Sequence, residues 1–399
     1  MSKRRLVVLP SDPIYRYEEK GLDWMERYYN PLSYFSEVYS LNRDEPSNRC
    51  AYGMFIQKTS INSFNQQIKQ INPHVIRAYG GYVSADLAAF NDQINIPVIT
   101  SLHDPDPRRI HKSVKYSNFI ICTSEIVKRS LLIKLNIPEH KIGILPNRVD
   151  RSIFKPLPHN NLPRHAPDLP TGAIKVLHIG RHSQEKNLDT VIKSISMLPD
   201  WYHLIAIGQG NTQHYQKIAD ESGIASRCHW ISSVSNSELP QWHAWADCLC
   251  NPSRWEGFGN VFIEAAACGQ VIITSNIEPM SGYFQNGLNA MLVDQYEQAE
   301  SLASMILTVS SDQELRNRLI ENSPLCAKEF DLAAVDQKEV DIYEAVINGD
   351  IGDRYSQYGK RVWRGCYQFI DIMHKSKETI KKCVRPVKIC INNYIAGMQ

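Results

Sequence analysis

Short aliphatic and β-branched runs alternate with amphipathic stretches along the first half of the chain. Leu6-Val7-Val8-Leu9 reads as a buried strand, and residues 56–71 carry apolar positions at helical spacing. Val75-Ile76 leads toward a helix near residues 84–94, Val98-Ile99-Thr100 and Ile120-Ile121-Cys122 read as strands, and a helix is expected to open at Ser124. The second half repeats the scheme with Val176-Leu177-His178-Ile179, Leu204-Ile205-Ala206-Ile207, Cys248-Leu249-Cys250 and Val271-Ile272-Ile273, each followed by a helical pattern. Strands that alternate with helices imply parallel sheets covered on both faces.

Between the two halves, residues 156–170 contain five prolines, which suits a linker rather than a core. The expected organisation is a first Rossmann-like domain over 1–155, a linker over 156–172, a second such domain over 173–347 and an extension over 348–399. Two doubly wound α/β domains in tandem place their strand carboxyl ends, and any ligand, at the cleft between them.

Composition narrows the class. The 399 residues are 43% hydrophobic and 22% charged, with 20 Gly and 21 Pro, which excludes disordered, collagen-like and low-complexity chains. Ten cysteines without a CxxC pair read as reduced thiols. After Met-Ser-Lys-Arg-Arg the apolar run stops at Pro10, whereas a signal peptide needs about 7–15 apolar residues and a spanning helix about 20. A cytoplasmic protein that does not span a membrane is expected. The net charge of +2 hides an asymmetry, because residues 354–399 carry ten Lys or Arg against Asp371 and Glu378.

The segment with most chemistry runs from Pro252 to Gly269: a loop with Gly257 and Gly259 follows the Cys248 strand, and a helix starts near Asn260. Glycines let the backbone approach a ligand, and free N–H groups at a helix start suit an anion or a sugar oxygen. Glu256 in the loop and Glu264 about one turn into the helix can meet different parts of one elongated ligand. Taken alone, the pair reads more readily as a solvated loop acid and a partner of the helix dipole.

The neighbouring motifs change that balance. The Glu-x7-Glu segment resembles the signature of retaining glycosyltransferases of the GT-B fold, in particular glycosyltransferase family 4, often called group 1. Ile142-Gly143-Ile144-Leu145-Pro146-Asn147-Arg148 is similar to the family's interdomain segment, with Asn-Arg in place of the usual Asn-Gly. Ile179-Gly180-Arg181 with Lys186-Asn187 is similar to its phosphate-binding motif, and Ile207-Gly208-Gln209-Gly210 to its next glycine turn. The resemblance covers most of residues 75–347.

It implies an α/β GT-B fold: two tandem Rossmann-like domains facing a cleft, with a C-terminal helical extension. It also implies transfer of a sugar from a UDP- or GDP-sugar to a glycan or lipid-linked acceptor in surface polysaccharide synthesis. Arg181 and Lys186 would neutralise the diphosphate, a role that a planar guanidinium and a mobile ammonium suit on physical grounds as well. Glu256 would contact donor-sugar hydroxyls, backbone N–H groups from Gly257, Phe258, Gly259 and Asn260 would assist, and Glu264 would hold the ribose. His103, at the end of the Val98 strand, would stand at the acceptor side and shift a proton there. Gly21, Gly180 and Gly208 are weaker candidates from the loops after the strands.

No metal or other cofactor is expected, because Asp104-Pro105-Asp106 reads as a rigid turn rather than a metal motif. A dinucleotide fold is the poorer reading, since Gln213 stands where the third glycine of G-x-G-x-x-G belongs. A catalytically silent sugar-nucleotide-binding subunit of a membrane assembly is the alternative function. The basic extension suits an anionic membrane surface on the cytoplasmic side or packing across the body, and it carries no nucleic-acid recognition motif.

Overall fold

A computed structural model of the chain describes residues 4–19, 25–93, 95–158 and 162–353. Gly21 and the basic segment 354–399, with the expectations attached to them, lie outside the described residues.

The first domain is built on β1 (Arg5–Leu9), β2 (Glu37–Asn42), β3 (Arg49–Ala51), β4 (Met54–Lys58), β5 (Val75–Tyr79), β6 (Val98–Leu102), β7 (Phe119–Cys122) and β8 (Ile142–Ile144). They form one sheet in the order β3-β4-β2-β1-β5-β6-β7-β8, in which only β3 with β4 is antiparallel. The second sheet contains β9 (Ile174–Ile179), β10 (Tyr202–Ile207), β11 (Cys228–Ile231), β12 (Cys248–Asn251), β13 (Ile272–Ser275) and β14 (Met291–Val293). All its pairings are parallel, in the order β11-β10-β9-β12-β13-β14. The strand order reverses beside β1 and beside β9, which leaves crevices at their carboxyl ends.

Alternate residues of each central strand enter cores on opposite faces. Val176, Leu204 and Cys250 pack under the Leu188–Ser196 and Ala299–Ser311 helices, whereas Leu177, Ile205 and Leu249 meet Trp242, Phe262 and Phe330. Residues 56–71 are not one helix. Met54–Lys58 is a strand paired with β2, and the helix begins at Ile61, where Ser60 and Ser63 form a reciprocal cap. The helix expected near residues 84–94 is shorter, Val83–Ala89.

The chain returns to the first domain at its end. Val335, Tyr343 and Val346 of the Leu332–Asn348 helix join the core of Leu6, Val8, Phe35 and Ile99. Buried charges from the same helix meet the segment between the domains: Arg148 pairs with Asp336 and with Glu339 at 2.5 Å, and Arg77 of β5 reaches Glu339 at 3.2 Å. Burial alone would raise the Glu339 carboxyl, but Arg148 and Arg77 outweigh it and hold it below its ordinary value. Arg148, which stands where the family usually has glycine, thus has named partners that fasten the returning helix to the first domain.

Candidate functional site

The loop after β9 touches the loop after β10 at the backbone. A Cβ on Gly208 would stand 1.8 Å from the Gly180 carbonyl oxygen, so only glycine allows this approach. Asn187, buried and left-handed at φ 57°, donates from its amide to the carbonyls of Pro252 and Tyr296, both at 2.9 Å. That clamp holds the preceding Lys186 over the loop after β12. Lys186 Nζ meets Glu256 Oε1 at 2.5 Å, and Ser253 Oγ donates to the same oxygen at 2.8 Å.

Glu256 is only 8% exposed. Its pairing with Lys186 is therefore a buried charge pair, which is stable only when both partners stay in place. Arg254 fastens the same two loops from outside, through Asp189, Glu297 at 2.8 Å and the Gln184 carbonyl at 2.6 Å. Arg181 is exposed at the rim, with Glu185 at 2.8 Å.

The glycine turn then leads into the Asn260–Ala267 helix. Gly259 has φ 85°, and a Cβ there would sit 2.6 Å from the Phe262 ring. No side chain caps this helix, so its first N–H groups remain available to a ligand. Phe258 contributes only backbone, because its ring is buried against Tyr283 and Phe330, with centroids at 5.3 and 5.5 Å. Glu264 is partly exposed, and among the described residues no hydrogen bond or ion pair reaches its carboxylate. Burial pushes its carboxyl up to about 7.

The first domain closes on this loop. A Cβ on Gly257 would fall 1.9 Å from the His103 carbonyl oxygen, and Ser124 Oγ donates to the Gly257 carbonyl at 2.5 Å. Asn147 Nδ2 donates to Asn260 Oδ1 at 2.8 Å. His103 is partly exposed at the seam, and burial, with Arg77 and Arg148 adding to it against Glu339, lowers its imidazole to about 4. It is neutral at pH 7. In the adjoining turn, Asp104 meets Arg109 at 2.7 Å and Asp106 meets Arg108 at 2.8 Å, so each carboxylate already has a cation.

The structure thus joins Lys186, Glu256, Gly257 and His103 at one seam, with Gly180, Gly208 and Asn260 supporting it and Arg181 at its edge. Ser124, Ser253, Asn147, Asn187 and Arg254 were not singled out from sequence. Asn187 stood inside a recognised motif, whereas Ser124 gave no signal beyond helix capping. A cavity of about 400 Å³ lined by His182, Ser183, Asn211, His214, Tyr215 and Arg254 opens nearby and contains none of the expected site residues.

Residues 163–325 match the family model described as glycosyl transferases group 1. The chain carries a group 1 glycosyltransferase domain. That domain begins in the linker and spans β9 to β14, including the Lys186–Glu256 pair. Over 183 residues the chain is 27% identical to D-inositol 3-phosphate glycosyltransferase of Mycolicibacterium smegmatis, covering 45% of this chain and 42% of that protein. It is 28% identical over 155 residues to the lipopolysaccharide core biosynthesis glycosyltransferase LpsE of Rhizobium meliloti, covering 39% and 44%. The chain matches only about half of the curated relatives' length or less.

Solved structures extend the likeness to both domains. Sucrose-phosphate synthase from Thermosynechococcus elongatus superposes with a TM-score of 0.71 at 15% identity, over 87% of this chain and 100% of that one. Anabaena HepE in complex with UDP-glucose gives 0.67 at 16% identity, over 86% and 99%. These neighbours share the GT-B fold, and the group 1 domain is its second half here.

Proposed function

We propose that this protein transfers a sugar from a UDP- or GDP-sugar to a glycan or lipid-linked acceptor, with retention of anomeric configuration, in surface polysaccharide synthesis. The observation that carries the reading is the 2.5 Å contact of Lys186 with Glu256 beneath the Gly257–His103 seam. It puts a cation suited to diphosphate beside a carboxylate suited to sugar hydroxyls, where the two domains meet. The relatives named for sugar transfer, LpsE among them, support the same reading.

In this mechanism the diphosphate lies against Arg181, Lys186 and the free N–H groups of the Asn260–Ala267 helix. The bond from sugar C1 to the phosphate oxygen breaks with its electron pair staying on that oxygen, and the cations stabilise the charge. The Lys186 ammonium has three N–H groups, enough to hold Glu256 and a phosphate oxygen together. Glu256 accepts from donor-sugar hydroxyls and Glu264 from the ribose. Neutral His103 accepts a hydrogen bond from the acceptor hydroxyl as it approaches, and the hydroxyl oxygen attacks C1 on the face the diphosphate leaves and gives up its proton to the departing phosphate oxygen. The Gly257–His103 contact excludes water from that step.

Screening UDP- and GDP-sugars for thermal stabilisation and turnover by the full chain tests the reading. One donor should stabilise the protein and be consumed, with a retained product. Stabilisation without turnover would favour the silent subunit, and an inverted product would remove the retaining assignment.

A further inference from the structure

The large exposed aromatic residues stand in few places among the described residues: Phe55, Tyr82, Trp201 and Trp255. Phe55 is stacked on Tyr39, with ring centroids at 4.8 Å. Trp201 immediately precedes β10, at the end of the second sheet remote from the Lys186 loop. Trp255 belongs to the donor loop beside Glu256. Tyr82 is the one that the first domain places at a strand carboxyl end, and it is 57% exposed.

Its position is built by its neighbours. Tyr79 of β5 pairs with Ser101 of β6, so the Gly80-Gly81-Tyr82 turn runs beside His103. Gly80 lies against Ser11, whose side chain would be 3.5 Å from a Cβ there. A Cβ on Gly81 would stand 2.7 Å from the Leu102 side chain, so glycine lets this turn settle onto the segment after β6. The Gly81 carbonyl accepts from the His111 N–H at 2.7 Å. His111 in turn meets the Tyr82 ring edge-on, with centroids 5.3 Å apart at 70°. The Ser113 N–H at 3.3 Å and the Ser113 hydroxyl at 2.8 Å hold the His111 ring at Nδ1. The phenol is thus fixed at its edge while much of its surface remains open to water.

The surroundings select the ligand. Among the described residues of this turn the exposed apolar surface is that of Tyr82 and Val83, too little to retain a hydrocarbon chain. Polar residues adjoin its turn: Ser11 lies against Gly80, and the Arg109 carbonyl would be 3.3 Å from a Cβ on Gly81, with the Arg109 side chain paired to Asp104. An exposed aromatic face whose turn adjoins a serine hydroxyl and a charged pair suits a flat molecule with C–H groups on its faces and hydroxyls on its rim. We infer that Tyr82 is the platform on which the terminal sugar ring of the acceptor lies, with its hydroxyl turned toward His103. This rests on the transferase reading above and makes the acceptor a carbohydrate at its reacting end.

The test uses the full chain with bound UDP or GDP and saturation-transfer NMR on methyl glucopyranosides, galactopyranosides and mannopyranosides. Wild type and Tyr82→Phe should saturate the ring protons of at least one glycoside, and Tyr82→Ala should lose most of that signal. With a turned-over donor, Tyr82→Ala should raise the acceptor KM about three- to tenfold. Its kcat and its donor hydrolysis without acceptor should stay near wild type. Equal saturation in wild type and Tyr82→Ala would overturn the assignment. So would binding of sugar-free polyprenyl phosphate by a wild type that binds no glycoside. Donor stabilisation is read separately: its absence from wild type overturns the transferase reading, while the NMR comparison still decides on Tyr82.

Discussion

The two faces of the cleft are built differently. The second domain presents a site held by its own side chains: Asn187 clamps Lys186, Ser253 and Lys186 share one oxygen of Glu256, and Arg254 straps both loops from outside. The first domain offers backbone and rings: the His103 carbonyl, a neutral imidazole, and Tyr82 braced by His111. A charged donor calls for fixed charge, which must be organised before it arrives. A neutral hydroxyl acceptor calls for shape and for a group that stays uncharged. Under the proposed function, the contrast assigns electrostatic work to one domain and positioning to the other.

The sharpest way to break this comparison is to remove charge from the donor face. Lys186→Ala should lower kcat by about 100- to 1000-fold, the usual effect of losing one preorganised group from a charge-stabilising site. It also leaves Glu256 buried without its cation. Glu256→Gln should lower kcat to a similar degree while leaving donor stabilisation largely intact. Steady-state kinetics with the identified donor measure both, and a loss of only a few-fold in either would mean that the pair is structural.

Next in size is the seam itself. In Gly257→Ala the new Cβ would meet the His103 carbonyl oxygen at 1.9 Å, so the domains must part by an ångström or more. A displacement of that size costs about 100-fold in rate. Under the proposed function the donor binds the second domain, so donor affinity should change far less than kcat. Calorimetric donor affinity beside kcat separates the two, and unaltered kcat would show that transfer does not need this closure.

The same division governs what could be read from the chain. The donor motifs follow β9, β10 and β12 directly, so their residues are neighbours in sequence as well as in space, and Gly180, Lys186, Glu256 and Gly257 could be named from short strings. Even there, Phe258 shows a limit: its place in the motif is legible, but only packing reveals that its ring faces the core. The acceptor face is assembled from loops near residues 11, 82, 103 and 111, and no local pattern announces that assembly. Ser124 gave the least signal, since its partner carbonyl lies 133 residues away. Among the elements, β1, β5, β6 and β7 were visible as buried aliphatic runs, whereas β3, β8 and β14 have three residues each and carry too little periodicity. The return of the Leu332–Asn348 helix to the first core depends on Val335 and Tyr343 meeting residues near the start of the chain, which no local pattern shows.

The finest test turns on pH, because the two faces hold groups displaced in opposite directions. His103, lowered to about 4, stays neutral throughout the working range and should leave no limb near 6.5 in the profile. Glu264, raised to about 7 from an ordinary value near 4.5, should titrate within it. As an anion it accepts charge-assisted hydrogen bonds from ribose hydroxyls, and once protonated it keeps only neutral ones, worth about 1 kcal/mol less. The donor KM should therefore rise about fivefold between pH 8 and pH 6, and Glu264→Gln should be weak at both pH values without that slope. Stability moves in the other direction. Between about 4.5 and 7 the folded chain holds a proton on Glu264 that the unfolded chain has released, so this group's contribution is full below the window and is lost as pH rises through 7. Denaturant titrations of wild type and Glu264→Gln across that window should differ by this slope. A donor KM that is flat from pH 6 to 8 in wild type would remove Glu264 from the ribose, leaving the charge work of the donor face to Lys186, Glu256 and Arg181.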